Sequence, residues 1–275
     1  AIGADPQGFL PRLFRYDFQS GQAEEVPLPD EKHSLLIDAF SCHGQTAAVT
    51  QGFKGLLFGL NLGFYQGDRL CISGIDAADG KREAAVQWSR YFENMTKDGG
   101  MRTRGCLDGD SYYIAAPDGI RKLDLESGTM ELVKTMDLLR CGRAELKRTA
   151  LPGGPEWAAV FSMAETADEY GYPQEWRTVI LGFDEKFEPV GTLELPLYAS
   201  GVEWGKTSVM ISDGGDEFRS VLADLKTMTG QEAGRAGRGE LVSSLYGTSW
   251  QQRSQYRTDA LEESTIHWVY FVDYG

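Results

Sequence analysis

The sequence predicts an all-β fold, and three observations carry that prediction. Short extended runs alternate with tight turn signals along nearly the whole chain. Helical periodicity is sparse; only the stretches near 88–97 and 163–171 read as a turn or two of helix within loops. Glycine, which supplies turns, and aromatic residues, which favour strands, are both plentiful, at 33 residues and 11%. The chain has 275 residues, 41% of them hydrophobic and 25% charged, so it is long enough and apolar enough to bury a core.

The elementary unit is a hairpin, clearest in "KLDLESGTMELV" at 122–133. An alternating run ends at Asp124, a turn follows, and a second run returns antiparallel. The Asp carboxylate is placed to accept hydrogen bonds from turn N–H groups, and Gly permits positive φ where the turn needs it. The same plan recurs in "FRYDFQSGQAEEV" with Asp17, "SGIDAADGKREAAV" with Asp76, "LGFDEKFEPVGTLEL" with Asp184 and "VLADLKTMTGQEAG" with Asp224. Roughly 40 to 60 residues separate successive copies.

Upstream of four of these hairpins lies another pair of extended runs. They are "SLLIDAFSC" with "TAAVTQ", "MRTRGCL" with "SYYIAAP", "RAELKRTAL" with "EWAAVFSM", and "SGVEWG" with "SVMISD". Each unit is therefore a four-stranded meander. The Asp17 hairpin has no such pair before it, and the pair "ELVSSLYGTSW" and "STIHWVYFVD" near the C-terminus has no hairpin after it. Joined end to end, the two halves reproduce the plan of a complete unit.

This pattern resembles a β-propeller, with five four-stranded blades in a single domain spanning 1–275. The closing blade is expected to combine two N-terminal with two C-terminal strands. No Trp-Asp or aspartate-box repeat signature is present, so the resemblance concerns architecture and points to no particular family. A β-sandwich also has short strands and frequent turns, but it does not explain why the two chain ends complement each other.

The resemblance implies that the first strand of each blade lines the axis and that ligands meet the loop face or the channel mouth. The expected inner strands carry Asp38, Cys42, Arg102, Arg104, Arg143, Glu145, Lys147, Glu203, Trp204, Ser244 and Tyr246. That mixture makes either a salt-bridged plug or a polar ligand site. Three loops between second and third strands stand out. The apolar segment 51–68 either extends its strands or covers a partner surface. The segment 165–176 holds Tyr170, Tyr172 and Trp176 among carboxylates, which suits sugar binding, or else pins the loop to its blade. The acidic "SDGGDEF" at 212–218 does not fit an EF-hand and reads as a solvated turn.

Several classes of chemistry are excluded or disfavoured. A formal net charge of −14 repels phosphate backbones, so no nucleic-acid partner is expected. No apolar run reaches the roughly 20 residues of a membrane helix, so no membrane insertion is expected. Only His33, His43 and His267 are present, no GxSxG occurs, and Cys42 and His43 are adjacent and point to opposite faces of a strand. Cys42, Cys71, Cys106 and Cys141 lack zinc-site spacing and are expected as four buried thiols, with one or two disulfides as the alternative in an oxidising compartment; no metal or cofactor is expected. The chain begins at Ala1, which suggests an exported protein whose leader has been removed.

The expected function is therefore binding without catalysis, of a carbohydrate or protein ligand on the loop face at the cell surface. Arg104, Arg143, Tyr170, Tyr172, Trp176, Trp204 and Tyr246 are the candidate ligand-binding residues. A first alternative is a glycoside hydrolase of the five-bladed kind, with Asp38, Asp108 and Glu145 as its carboxylates. The "SLLIDAF" context lacks the Asp-Pro usual near the first acid of such enzymes. A second alternative is a structural module of a longer protein.

Overall fold

A computed structural model describes residues 2–5, 8–17, 19–26, 34–42, 44–54, 65–76, 85–93, 95, 101–167, 173–213, 217–237, 250–251 and 271–272. Among them there is no helix, and the chain divides into two compact units, Ala1–Leu139 and Arg140–Gly275.

The first unit begins with β1 (Ile2–Asp5), β2 (Gly8–Asp17) and β3 (Gln22–Val26), which form a three-stranded sheet in chain order. A first four-stranded meander follows: β4 (Ser34–Cys42), β5 (Gln45–Lys54), β6 (Tyr65–Asp76) and β7 (Ala85–Phe92). The short β8 (Arg102–Arg104) precedes a second meander of β9 (Cys106–Asp108), β10 (Ser111–Ala116), β11 (Gly119–Asp124) and β12 (Met130–Thr135).

The second unit repeats the plan. Its first meander is β13 (Cys141–Arg148), β14 (Trp157–Ala167), β15 (Pro173–Phe183) and β16 (Pro189–Leu195), and its second is β17 (Gly201–Trp204), β18 (Ser208–Asp213), β19 (Glu217–Asp224) and β20 (Thr229–Gly237). The pair β21 (Trp250–Gln251) and β22 (Phe271–Val272) completes the described strands.

Repeated meanders of this kind are blades, and the architecture is that of a β-propeller. Four blades are complete, not five. The described residues do not establish the expected closing blade, and β2 departs from that expectation at one edge. Its one edge pairs with β3, and its other edge pairs with β1, from Ile2 opposite Leu13 to Asp5 opposite Gly8. The stretch around Ile2 to Asp5 was not counted as a strand from sequence. It takes the edge that a C-terminal strand needed, while β21 and β22 pair with each other.

Within each blade, burial falls from the second strand outward. In β10 only Tyr113 is not fully buried, whereas most of β12 is exposed. On β16 the pleat separates inward Gly191, Leu193 and Leu195 from outward Val190, Thr192 and Glu194. In the first unit Val49, Ile72, Tyr112, Ile114 and Leu123 form a shared core between the two meanders. In the second unit Val160, Ile180, Val209, Ile211 and Val221 do the same. Fully buried Ala47, Ala48, Ala158 and Ala159 keep the facing strands thin.

The turn aspartates behave as the sequence predicts. Asp124 Oδ1 accepts from the Ser127 N–H and hydroxyl, both at 2.7 Å. Asp224 Oδ1 accepts from the N–H of Lys226 and Thr227 at 3.0 and 2.7 Å, and Asp184 Oδ1 from Lys186 and Glu188 at 2.8 Å. Gly21 and Gly128 supply the positive φ in two turns, but Phe187 and Met228 hold φ of 58° and 51° in two others. Packing overrides the preference for glycine there. Phe187 stacks on Trp157 at 5.0 Å, and Met228 lies over Gly182 and Gly191, which face each other across β15 and β16.

The remaining sequence expectations resolve as follows. The segment 51–68 does extend its strands, with Phe53 opposite Gln66 and Lys54 opposite Tyr65; residues 55–64 lie outside the described residues. In the segment 165–176, residues 165–167 and 173–176 are strand, with Thr166 opposite Gln174; residues 168–172 lie outside the described residues. Of the stretches near 88–97 and 163–171 where helical turns are expected, the parts through Phe92 and Ala167 are β7 and β14, set by ladder pairing; residues 94, 96–97 and 168–171 lie outside the described residues. No disulfide joins the cysteines; Cys42, Cys71 and Cys141 are buried, but Cys106 is only half-buried.

Candidate functional site

Each unit holds one polar cluster on or beside the first strands of its blades, and in both the ladder shifts register next to a cluster residue. In the first unit the ladder of β4 and β5 shifts register between Leu36 and Asp38. Asp38 is 5% exposed. Its Oδ2 accepts from the Tyr112 hydroxyl at 2.8 Å, and its Oδ1 accepts from Arg104 Nε at 3.1 Å and the Ala39 N–H at 2.9 Å. The Tyr112 oxygen accepts from the Gly105 N–H at 2.8 Å, and its ring stacks on Phe40. A side chain at Gly105 would strike the Tyr112 ring and the Tyr113 carbonyl, so only glycine fits. Burial first, and then Asp38, push the Tyr112 phenol well above its ordinary value, so it stays a donor. Both oxygens of Asp38 are engaged, and the cluster reads as a polar plug.

In the second unit the ladder of β13 and β14 shifts between Cys141 and Arg143. Arg143 Nε and Nη2 both donate to Glu145 Oε1, the former at 3.0 Å, and Nη1 donates to the Ser200 carbonyl. Glu145 is 3% exposed, and its second oxygen accepts from Trp204 Nε1 at 3.2 Å. Glu203, one residue before Trp204 on β17, completes the group. It is half-buried, and its Oε2 is sealed without a hydrogen-bond partner among the described residues. Burial, and then the neighbouring Glu145 charge, push its carboxyl up to about 7, with Arg143 opposing. Two carboxyls thus stand in unlike settings: one saturated by donors, the other with none among the described residues.

The remaining candidates fall around these clusters. Trp176 packs edge-on against Tyr198 with centroids 4.7 Å apart. It also covers Gly142, where a Cβ would lie 2.6 Å from the indole. It therefore walls the backbone beside Arg143 and Ser200, and the pinning alternative describes it. Asp108 is exposed at the end of β9, where the hairpin turn follows with Gly109 at φ 58°. Asp38 and Glu145 belong to different units. Tyr170, Tyr172, Ser244 and Tyr246 lie outside the described residues, and so does the Arg102 side chain. The sequence placed Glu203 on an inner strand without selecting it as a site residue, and it did not single out Tyr112.

A cavity of about 210 Å³ in the second unit lies between Gly153 to Glu156 and Leu225 to Met228. Its two carboxylates are engaged, Asp184 by turn N–H groups and Glu156 by Arg148. Among the described residues there is no group of metal ligands, and no helix is long and apolar enough to cross a membrane.

Neither a family model nor a curated protein matches the chain. Solved structures do resemble it in fold. The chain aligns with TolB from Acinetobacter baumannii at 12% identity and a TM-score of 0.46, over 84% of this chain and 50% of that one. It aligns with the AfRom2 CNH domain at 6% identity and a TM-score of 0.49, over 92% and 74%. It aligns with the β-propeller domain of the Trilobed protease from Pyrococcus furiosus at 12% identity and a TM-score of 0.40, over 81% and 60%. The chain thus spans about half the length of the TolB chain.

Proposed function

We propose that this β-propeller is a non-catalytic binding module whose ligand is a saccharide held by Arg143, Glu203 and Trp204 of the second unit. One observation carries the reading: among the described residues Glu203 Oε2 has no hydrogen-bond partner, beside a cluster whose other polar groups already have them. A buried carboxyl oxygen without a partner costs stability, and a fold retains such a group where a ligand compensates. Saccharides combine hydroxyls, which donate to a carboxyl, with apolar C–H faces, which pack on an indole. Trp204 is half-buried and packs against the core of the second unit.

The hydrolase alternative is less well supported. Asp38 is saturated by Tyr112, Arg104 and Ala39, and Asp108 sits on a turn, so neither is poised to act on a glycosidic bond. Export remains part of the proposal, and fractionation of cells making the full-length protein tests it.

The test of the binding reading is calorimetric titration with a panel of neutral oligosaccharides. Binding that Trp204→Phe and Glu203→Gln each weaken supports it. A folded protein that binds none of the panel overturns it and turns attention to protein ligands.

A further inference from the structure

We propose that the cavity of the second unit binds an indole-type ring, a flat aromatic bicycle carrying an N–H, in the place where the corresponding blade of the first unit seats its own tryptophan. The cavity shares no lining residue with the saccharide cluster, so the two readings stand or fall separately.

The blades β4–β7 and β13–β16 match position by position. In one, Ala47 pairs with Gly74, and Gly74 with Trp88. In the other, Ala158 pairs with Gly182, and Gly182 with Gly191. Val49 opposite Ile72 continues the first face, and Val160 opposite Ile180 continues the second. All four of these residues belong to the buried cores. The register therefore sets glycine, at 191, where the first unit has an indole.

Trp88 shows what that place is built to hold. Its indole lies on Gly74, where a Cβ would strike it, and it packs against the core of the first unit. Its Nε1 donates to Gln45 Oε1 at 3.0 Å. The Arg90 guanidinium lies 6.0 Å from the ring centroid, within reach of a cation–π contact.

The second unit keeps the setting and omits the ring. Glu156 lies two residues before Ala158, as Gln45 lies two before Ala47, so an acceptor recurs at that position. Arg148 holds Glu156 Oε2 at 3.1 Å, and a carboxylate has room for further donors. Lys226 brings a cation to the cavity, as Arg90 does to Trp88. Met228 stands four residues after Asp224, as Gly128 stands four after Asp124, and it covers Gly182 and Gly191 in the ring's stead. A thioether chain is narrower than an indole, and a cavity of about 210 Å³ remains beside it. Val190, one of the lining residues, is 57% exposed, so the cavity opens to solvent. An apolar cavity of about 150 Å³ already accepts benzene, so this one has room for a fused ring. Pro155, Leu225 and Met228 supply apolar contacts, and the unbranched thioether adapts to an aromatic face. A ring whose N–H meets Glu156 completes the arrangement that Trp88 makes with Gln45.

The experiment titrates the protein with indole into the millimolar range and follows the Met228 methyl by carbon-13 NMR, assigned by Met228→Leu. A ring packed on this methyl shifts it through the ring current. Calorimetry gives the affinities. The expected result is a saturable shift, with indole bound about ten-fold more tightly than 1-methylindole, which has no N–H to give. Glu156→Ala should reduce that preference to about two-fold or less. Gly191→Trp combined with Met228→Gly rebuilds the Trp88 and Gly128 arrangement; the double variant should fold, as its melting midpoint verifies, and should bind no indole. N-acetyl-tryptophanamide distinguishes the source of the ring. Binding as tight as that of indole supports a tryptophan side chain on a peptide, and exclusion of the amide supports a free small molecule. A Met228 methyl that indole leaves unmoved overturns the proposal. So does equal binding of 1-methylindole, or indole binding that persists in the folded double variant. Should the double variant not fold, the Glu156→Ala comparison decides alone.

Discussion

Trp204 ties the first strand of one blade to the first strand of the next: its Nε1 donates to Glu145 Oε2 at 3.2 Å. The contact joins β17 to β13, and it satisfies a carboxylate that is 3% exposed. Trp204→Phe keeps an aromatic ring, smaller than the indole, and removes the donor. Because a buried acceptor is left unsatisfied, the variant should lose about 1–3 kcal/mol of stability, read from urea unfolding. An unchanged midpoint would show that Glu145 finds another donor.

Glu203 gives the fold a pH dependence of definite sign. Its folded value, about 7, stands above the ordinary 4.5, so the folded state binds a proton that the unfolded state releases. The stabilisation from this group is complete below about pH 4.5 and is lost as pH rises through 7. The total is on the order of 3 kcal/mol. Glu203→Gln should flatten the slope of stability between pH 5 and 8, measured as unfolding midpoints across that range, and should be more stable than the parent at pH 8. A parallel slope in the variant would assign the effect to another group.

The turn aspartates act in the opposite direction. Hydrogen bonds from Ser127 hold Asp124 below its ordinary value, and bonds from Thr227 do the same for Asp224. Each favours the folded state above the unfolded carboxyl value, and that contribution is lost as pH falls through the lower folded value. Asp224→Asn should therefore reduce the acid sensitivity of unfolding below pH 4, seen by circular dichroism. An identical acid limb in the variant would contradict this.

Tyr112 and Asp38 make a parallel case in the first unit. Tyr112→Phe removes the donor to Asp38 Oδ2 and the acceptor for the Gly105 N–H. With the ring retained, the expected cost is about 1–3 kcal/mol in urea unfolding. A much smaller loss would mean that water replaces the hydroxyl.

Met228 supplies a packing test. Gly191→Ala would place a Cβ 2.6 Å from Met228 Cγ, and overpacking of this kind costs about 1–3 kcal/mol. Combining it with Met228→Gly should recover part of the loss, because glycine both clears the space and accepts the positive φ. Additive losses in that double variant, followed by thermal unfolding, would exclude the contact.

Much of this fold was legible in the sequence because its signals are local. The Asp124, Asp184 and Asp224 turns need only residues within a few positions, and the alternating runs before them name their own strands. The blade count was not legible, because whether β2 pairs with Ile2–Asp5 or with a distant strand depends on competition for one edge. Phe187 and Met228 occupy positions where turn chemistry favours glycine, and only the packing around them explains it. The site was half legible. Arg143, Glu145 and Trp204 could be placed on inner strands by counting, and the structure brings them together. What distinguishes Glu203 from the other described acids is a buried oxygen with no partner among the described residues, and that has no sequence signature.

The most direct measurement is a carbon-13 NMR titration of the Glu203 side-chain carboxyl, assigned by Glu203→Gln, with and without the saccharide panel. The account predicts a midpoint near 7 in the free protein, displaced when a saccharide of the panel is added. A midpoint at the ordinary glutamate value, unmoved by every saccharide, would contradict it.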